Sequence, residues 1–258
     1  MGLYNRYCEL VRIIAFQNLA TRYRGSLLGT YWSLFNPLIM TGIYTALFGA
    51  EFASYYNDSL LSYAMAAFLG LIVIHFFSAS TTQALTSIVS NGTLLNKIKL
   101  PLSIFPVGIV TANTVQFTTG VLPLVLFLTL LKSGSWVNMC MVILPFIALI
   151  IICLGIALIV SGLYVFFRDL QYFYELITFS LWISSPVFYP PDIVPEAIQP
   201  FLKFNPLFII IDSIRQIVFS SHVPYWSVVF SSFSTALLIL AIGLACFHCW
   251  KTQYMDLL

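Results

Sequence analysis

The sequence predicts an all-α integral membrane protein with six transmembrane helices, an amino-terminal amphipathic interface helix, and a pair of re-entrant helices in the outer leaflet between spans five and six. Three observations predict it. Of 258 residues, 60% are hydrophobic and only 8% charged, with a mean hydropathy of +0.96, too little polar surface for a water-soluble domain. Apolar stretches long enough to cross a bilayer, roughly 20 residues each, begin near Leu34, Leu60, Ile104, Met139, Tyr174 and Trp226. The charges then sort by side. With the amino terminus inside, Arg6, Arg12, Arg22, Arg24, Lys97, Lys99, Arg168 and Lys251 fall in the cytoplasm, while Glu51, Asp58, Asp192 and Glu196 face out, as the positive-inside rule requires. Both termini are then cytoplasmic. Lys132, Lys203 and Arg215 stand outside that pattern.

The elements follow in chain order. Residues 6–24 carry Leu10, Val11, Ile13, Ile14 and Leu19 among Arg12, Gln17, Asn18 and Arg22, an imperfect helical stripe that suits a helix lying in the cytoplasmic interface. Arg6, Glu9 and Arg12 interrupt the uncharged core that a cleavable signal needs, so none is expected. Gly25 and Gly29 let the chain turn from that helix into the first span. The connections near 51–59, 132–136 and 167–171 are short, which makes residues 1–258 a single membrane domain. Between spans two and three, "SNGTLLNKIKLPLSIFP" contains an Asn91-Gly92 turn, a short apolar and basic segment, and Pro101. Residues 91–101 are either a handle for a cytoplasmic partner or an ordinary turn whose lysines only set topology.

The region before the last span is the least regular. It holds Pro186, Pro190, Pro191, Pro195, Pro200 and Pro206, six of the twelve prolines, so no continuous helix runs through it. Yet 198–204 and 207–219 are too apolar for an exposed loop. A pair of short helices within 190–222, dipping into the outer leaflet and returning with their backbone shielded by protein, satisfies both facts. Asp212 and Arg215, three residues apart, are expected to pair on one face.

Several function classes are disfavoured. A net charge of +2, with no basic helix or RNA-binding motif, argues against nucleic acid. The five cysteines are scattered through apolar runs and read as free thiols. Cys246, His248 and Cys249 fall short of the four ligands of a structural zinc site and read as fillers near a helix end, so no metal is expected. HExxH and GxSxG signatures are absent. His75, the only ionisable residue well inside an early span, reads as a helix-packing hydrogen bonder. A membrane-embedded glycan-processing enzyme is the alternative from another class, disfavoured because acid, base and metal constellations are missing. The buried acids and paired halves of ion-coupled transporters are missing too, as is a GxxxxGK[ST] phosphate loop. A transporter built this way must take its energy from a separate ATPase subunit.

"ATRYRGSLLGTYWSLFNPL", "LLNKIKLPLSIFP", "FFRDLQYFYELI", "SSPVFYP" and "FNPLFIIIDSIRQIVF" occur in that order across nearly the whole chain. In motif and spacing the chain resembles the type-2 ABC exporter permeases that move polysaccharides, the O-antigen, teichoic acid and capsule exporter group. The resemblance implies a homodimer with two copies of a separate ATP-binding subunit, which carries ATP and Mg; no cofactor belongs to this chain. It implies a lipid-linked polysaccharide as substrate, commonly on an undecaprenyl pyrophosphate carrier, and a place in the bacterial inner membrane. Capsule or teichoic acid polymer is an alternative to O-antigen, and lipid or drug exporters share the permease class.

The resemblance also implies site residues. Asn91, Leu95, Lys97 and Lys99, with the interface helix, would meet the ATPase. Pro190, Pro191, Asp212 and Arg215 would belong to the outward gate. Arg22 and Arg24 would attract a pyrophosphate head, since guanidinium forks match phosphate oxygens, unless they are topology anchors only. Tyr31, Trp32 and Phe35 would offer flat faces to pyranose rings, unless they are an interfacial belt. Tyr44, Phe173, Phe179 and Trp182, along spans one and five, are further candidates for the path, with lipid contact or helix packing as the alternative.

Overall fold

The computed structural model describes residues 3–95, 97–98, 100–220 and 226–257. Every long element among them is helical. In chain order these are α1 (Leu3–Arg22), α2 (Trp32–Phe52), α3 (Leu60–Leu85), α4 (Ser87–Ser90), α5 (Gly92–Leu95), α6 (Ile104–Gly120) and α7 (Leu122–Ser133). They continue with α8 (Trp136–Met141), α9 (Ile143–Phe166), α10 (Leu170–Ser184), α11 (Gln199–Phe204), α12 (Pro206–Phe219) and α13 (Trp226–Leu257). The chain is an all-α, multi-pass membrane protein. Among the described residues, four helical stretches are long and apolar enough to cross a bilayer: Gly29–Tyr56, Leu60–Leu85, Trp136–Phe166 and Trp226–Trp250. A fifth forms if α6 and α7 count as one span bent by 47°. Pro123 lies at the start of α7, where it lacks the N–H that would continue the ladder.

The element expected from Tyr174 is shorter than the sequence suggests. α10 has 15 residues, about 22 Å at 1.5 Å per residue, against a hydrocarbon core of about 30 Å. It stops at Ser185, before Pro186 and the non-helical run that follows. The prolines act as expected beyond it: apart from a three-residue 3₁₀ turn at Pro191–Ile193, only the six-residue α11 and the 14-residue α12 form between 186 and 220. Asn205 caps α12 by accepting from the Leu207 N–H at 2.9 Å, with Pro206 as the first helical residue.

At the amino-terminal end, Gly25 (φ +79°) and Gly29 (φ +50°) take left-handed backbone between α1 and α2, the turn the sequence called for. α1 packs along α6, with Ile14 against Gly108. Its less exposed positions are Tyr7, Leu10, Val11, Ile14, Ala15, Asn18, Leu19 and Arg22, a regular i, i+3, i+4 stripe. Ile13 is 54% exposed and off that stripe, which is why the pattern reads as imperfect when all apolar residues are counted together.

α3 is the axis of the bundle, buried along most of its length, and α2, α6, α9, α10 and α12 pack around it. α9 and α13 cross at Gly155 and Gly243, whose missing side chains let the two backbones touch. A second apolar cluster joins Val11 of α1, Ile88 of α4, Leu95 of α5, Phe105 of α6, Leu158 of α9 and Tyr254 of α13. Tyr254 there sits over Gly162, and burial pushes its phenol above the ordinary value. Lys132, outside the positive-inside pattern, donates to Ser62 Oγ at 2.7 Å and lies over the Phe219 ring at 5.7 Å.

Candidate functional site

The last turn of α1 delivers Arg22 into a nest of side-chain amides. Its Nη1 donates to Asn113 Oδ1 at 2.8 Å and to Gln116 Oε1 at 2.9 Å. Its Nη2 donates to Asn18 Oδ1 at 2.8 Å and to Gln83 Oε1. Asn113 Nδ2 also donates to Gln83 Oε1, at 3.1 Å. A guanidinium inside an apolar bundle needs its donors satisfied, and here all four terminal N–H positions are taken. Arg24, two residues on, lies in the exposed turn and makes no hydrogen bond among the described residues. The two arginines therefore differ: Arg22 joins α1 to α3 and α6, and Arg24 is free to meet a ligand. Gln83, Asn113 and Gln116 were not singled out from the sequence. Their signal was present, because three amides inside apolar spans, two of them at i and i+3, are expensive unless they share a partner.

Two cavities meet at Arg22 and Gln83. One, of about 240 Å³, lies among α1, α2, α3 and α6, with Trp32, Asn36, His75 and Gln116 on its wall. The other, of about 620 Å³, is lined by Gln17, Asn18, Thr86, Ser90 and Asn91. Of the aromatics expected here, Trp32 borders the smaller cavity, while Tyr31 and Phe35 are exposed on the same stretch.

A separate aromatic group forms farther along α2. Tyr44 stacks on Phe188 with ring centroids 3.6 Å apart. Trp182 meets Phe188 edge-on at 6.0 Å, and Phe179 meets Trp182 likewise. Thus Tyr44, Phe179 and Trp182 come together through Phe188, a residue the sequence did not mark. Phe173 stays apart, 64% exposed on α10. Tyr44 is 12 positions beyond Trp32, about 18 Å along a helix, so the candidate aromatics form two groups, with Phe173 in neither.

The segment 185–190 is held at its backbone. Arg215 of α12 is buried and reaches the Ala66 carbonyl with Nε at 3.2 Å and Nη2 at 2.9 Å. The same Nη2 donates to the Val187 carbonyl at 2.9 Å. Tyr63 Oη donates to the Phe188 carbonyl at 3.0 Å, and Asn205 Nδ2 donates to Ser184 and Ser185 Oγ at 3.2 and 3.0 Å. Val187 sits against Gly70. The expected Asp212–Arg215 pair does not form; Asp212 Oδ2 accepts from Gln216 Nε2 at 2.8 Å instead. Arg215 turns to the buried face of α12, where two carbonyls are close, while Asp212 stays partly exposed. Pro190 is buried and Pro191 begins a short turn of 3₁₀ helix. The tail of the expected gate, 221–222, lies outside the described residues.

In the segment 91–101, Asn91 Nδ2 donates to the Ser87 carbonyl at 2.8 Å and Leu95 is buried in the second apolar cluster. Lys97 is exposed, next to exposed Leu94 and Ile98. Lys99 lies outside the described residues. Among the described residues, no three His, Cys, Asp or Glu side chains gather as a metal site would require.

Residues 9–219 match the family model of the ABC-2 type transporter. Two proteins of Klebsiella pneumoniae, each described as an O-antigen export system permease protein RfbA, are 28% identical to this chain over 255 residues, covering 97% of it and 95% of each relative. A Myxococcus xanthus protein of the same description is 28% identical over 223 residues, covering 85% of this chain and 84% of its own length.

Proposed function

The chain belongs to the ABC-2 type transporter family, and we propose that it is the permease subunit of an ATP-driven exporter of lipid-linked polysaccharide of the O-antigen type. The observation that carries this reading is the near end-to-end similarity to two O-antigen export permeases. The active unit is a homodimer in the bacterial inner membrane, with both termini cytoplasmic and two copies of a separate ATP-binding subunit that supply ATP hydrolysis. α10 supports the dimer: along its 15 residues only Tyr174 is buried, so its apolar sides are open to a second copy. α10 and the non-helical residues after it make the remaining crossing of the membrane, giving six.

The exposed ridge of Leu94, Lys97 and Ile98 meets the ATPase, together with Asn91, Lys99 and α1. Leu95 ties that ridge to α1 through the cluster shared with Val11. The α11–α12 hairpin with Pro190 and Pro191 forms the outer gate. Arg24 receives the pyrophosphate of the carrier, and Tyr31, Trp32 and Phe35 lead the glycan toward the group around Tyr44, Phe179 and Trp182.

Deleting the gene in its host and restoring it on a plasmid tests the reading. Loss of the surface polysaccharide ladder, with lipid-linked glycan accumulating inside and an ATPase copurifying with the restored permease, is the expected result. An intact surface ladder, with transport of a drug or free lipid lost instead, overturns it.

A further inference from the structure

We propose that the cavity of about 240 Å³ among α1, α2, α3 and α6 is a subsite for one pyranose ring, the sugar nearest the lipid carrier. The proposal rests on the exporter reading above and adds a place and a set of contacts inside a single subunit. Its wall combines the two kinds of surface a sugar ring presents. Trp32 is half exposed and offers a flat apolar face to ring C–H groups. Asn36 and His75 offer donors and acceptors for hydroxyls, and neither makes a hydrogen bond among the described residues.

Arg22 arranges this chemistry without itself touching the sugar. By taking Oε1 of both Gln83 and Gln116, it holds those amides with their NH₂ groups left over as donors. Because its own terminal N–H groups are spent on four amide oxygens, the cavity offers no free cationic fork. A neutral, hydroxyl-rich ring is served better there than a pyrophosphate, which would demand charge-assisted partners. Size agrees: the space falls just below the ~300–1,000 Å³ of sites for drug-sized ligands, enough for one six-membered ring and too small for a run of polymer. The cavity borders the start of α2 and the last turns of α3, which the proposed topology puts in the cytoplasmic leaflet, where the first sugar of a lipid-linked chain enters.

The test uses the whole transporter, permease with its ATPase partner, in lipid nanodiscs. ATPase stimulation is titrated with lipid-linked glycan and, in parallel, with the same polyprenyl pyrophosphate bearing no sugar. His75→Phe and Asn36→Leu should each raise the half-stimulating concentration of glycan about tenfold, the scale of one or two lost hydrogen bonds. The response to the bare carrier should not move, and His75→Gln should restore most of the loss. Should either variant fail to purify, Trp32→Ala against Trp32→Phe gives the same contrast. Unchanged glycan titrations overturn the subsite, and so does an equal shift with the bare carrier, which would assign the cavity to the lipid-phosphate end. If the unmodified transporter ignores lipid-linked glycan altogether, the exporter reading fails and takes the subsite with it.

Discussion

Arg22 and Arg215 both reach α3, at opposite ends of it, Arg22 half-buried and Arg215 buried. The first meets Gln83 and the second Ala66, 17 positions apart, or about 25 Å along the helix. Arg22 is satisfied by side-chain amides from three helices and stands between two cavities. Arg215 is held by main-chain carbonyls, one on α3 and one on the irregular run before α11, and its Nη1 is buried without a partner. Side chains can re-aim and water can enter the first seat; the second is buried, and its acceptors are fixed to backbone. The Arg22 end is thus an adjustable joint and the Arg215 end a rigid clasp.

The largest effect is expected at the clasp. Arg215→Met leaves the Val187 carbonyl buried without a donor, while the Ala66 carbonyl keeps its place in the α3 ladder. Stranding a buried acceptor of a charge-assisted bond costs about 2–3 kcal/mol. The unpartnered Nη1 offsets some of that, because its burial is relieved. The thermal midpoint of the detergent-purified protein should fall clearly, and limited proteolysis should begin to cut within 185–205. An Arg215→Met protein as stable and as protease-resistant as the parent would break the comparison.

Arg22→Leu should cost less, about 1–2 kcal/mol, although it removes more hydrogen bonds. Gln83, Asn113 and Gln116 can turn toward one another, and the cavities admit water to what remains. Its midpoint should lie between those of the parent and Arg215→Met; the reverse order would mean that the amide nest, and not the carbonyl clasp, is the rigid end.

This contrast also marks what the sequence could tell. The starts of the long helices, the turn at Gly25 and Gly29 and the break imposed by the prolines near 190 were legible, because each depends on local backbone chemistry or on an apolar run. The amide nest was half legible: Asn113 and Gln116 share a helix face at i, i+3, but only the fold brings Arg22 to them. The Asp212–Arg215 pair was misread because i, i+3 spacing fixes where two Cβ atoms point and not what else competes for the side chains. The Ala66 carbonyl of α3 and the Val187 carbonyl of the non-helical run won that competition, and no local pattern announces them. The same run hid Phe188, whose partners Tyr44 and Trp182 come from helices far apart in sequence.

Tyr63→Phe sharpens the clasp at lower cost. It removes only the bond from the phenol to the Phe188 carbonyl at 3.0 Å and keeps the ring, so a loss of about 1 kcal/mol is expected. Combined with Arg215→Met, it should lose less than the sum of the two. Both bonds hold adjacent carbonyls, and once one is released the segment no longer presents the other in place. Strict additivity in the double mutant would show that 187 and 188 are held independently.

The smallest effect on stability is expected at Arg24, and it is the most telling about function. Arg24 is exposed and bonded to nothing among the described residues, so Arg24→Gln should leave the melting curve unchanged. Export should still fall severalfold, because a free guanidinium fork is the group that grips a pyrophosphate, and Arg24→Lys should recover part of it as a point charge. Arg22→Lys should show the opposite profile, a lowered midpoint with export reduced only in proportion to folded protein. If Arg24→Gln exports normally, the exposed arginine is a topology anchor and the carrier's charge must be met elsewhere. If Arg22→Lys instead loses export at full stability, its four amide bonds are exchanged for substrate during transport, and the adjustable joint is itself a binding site.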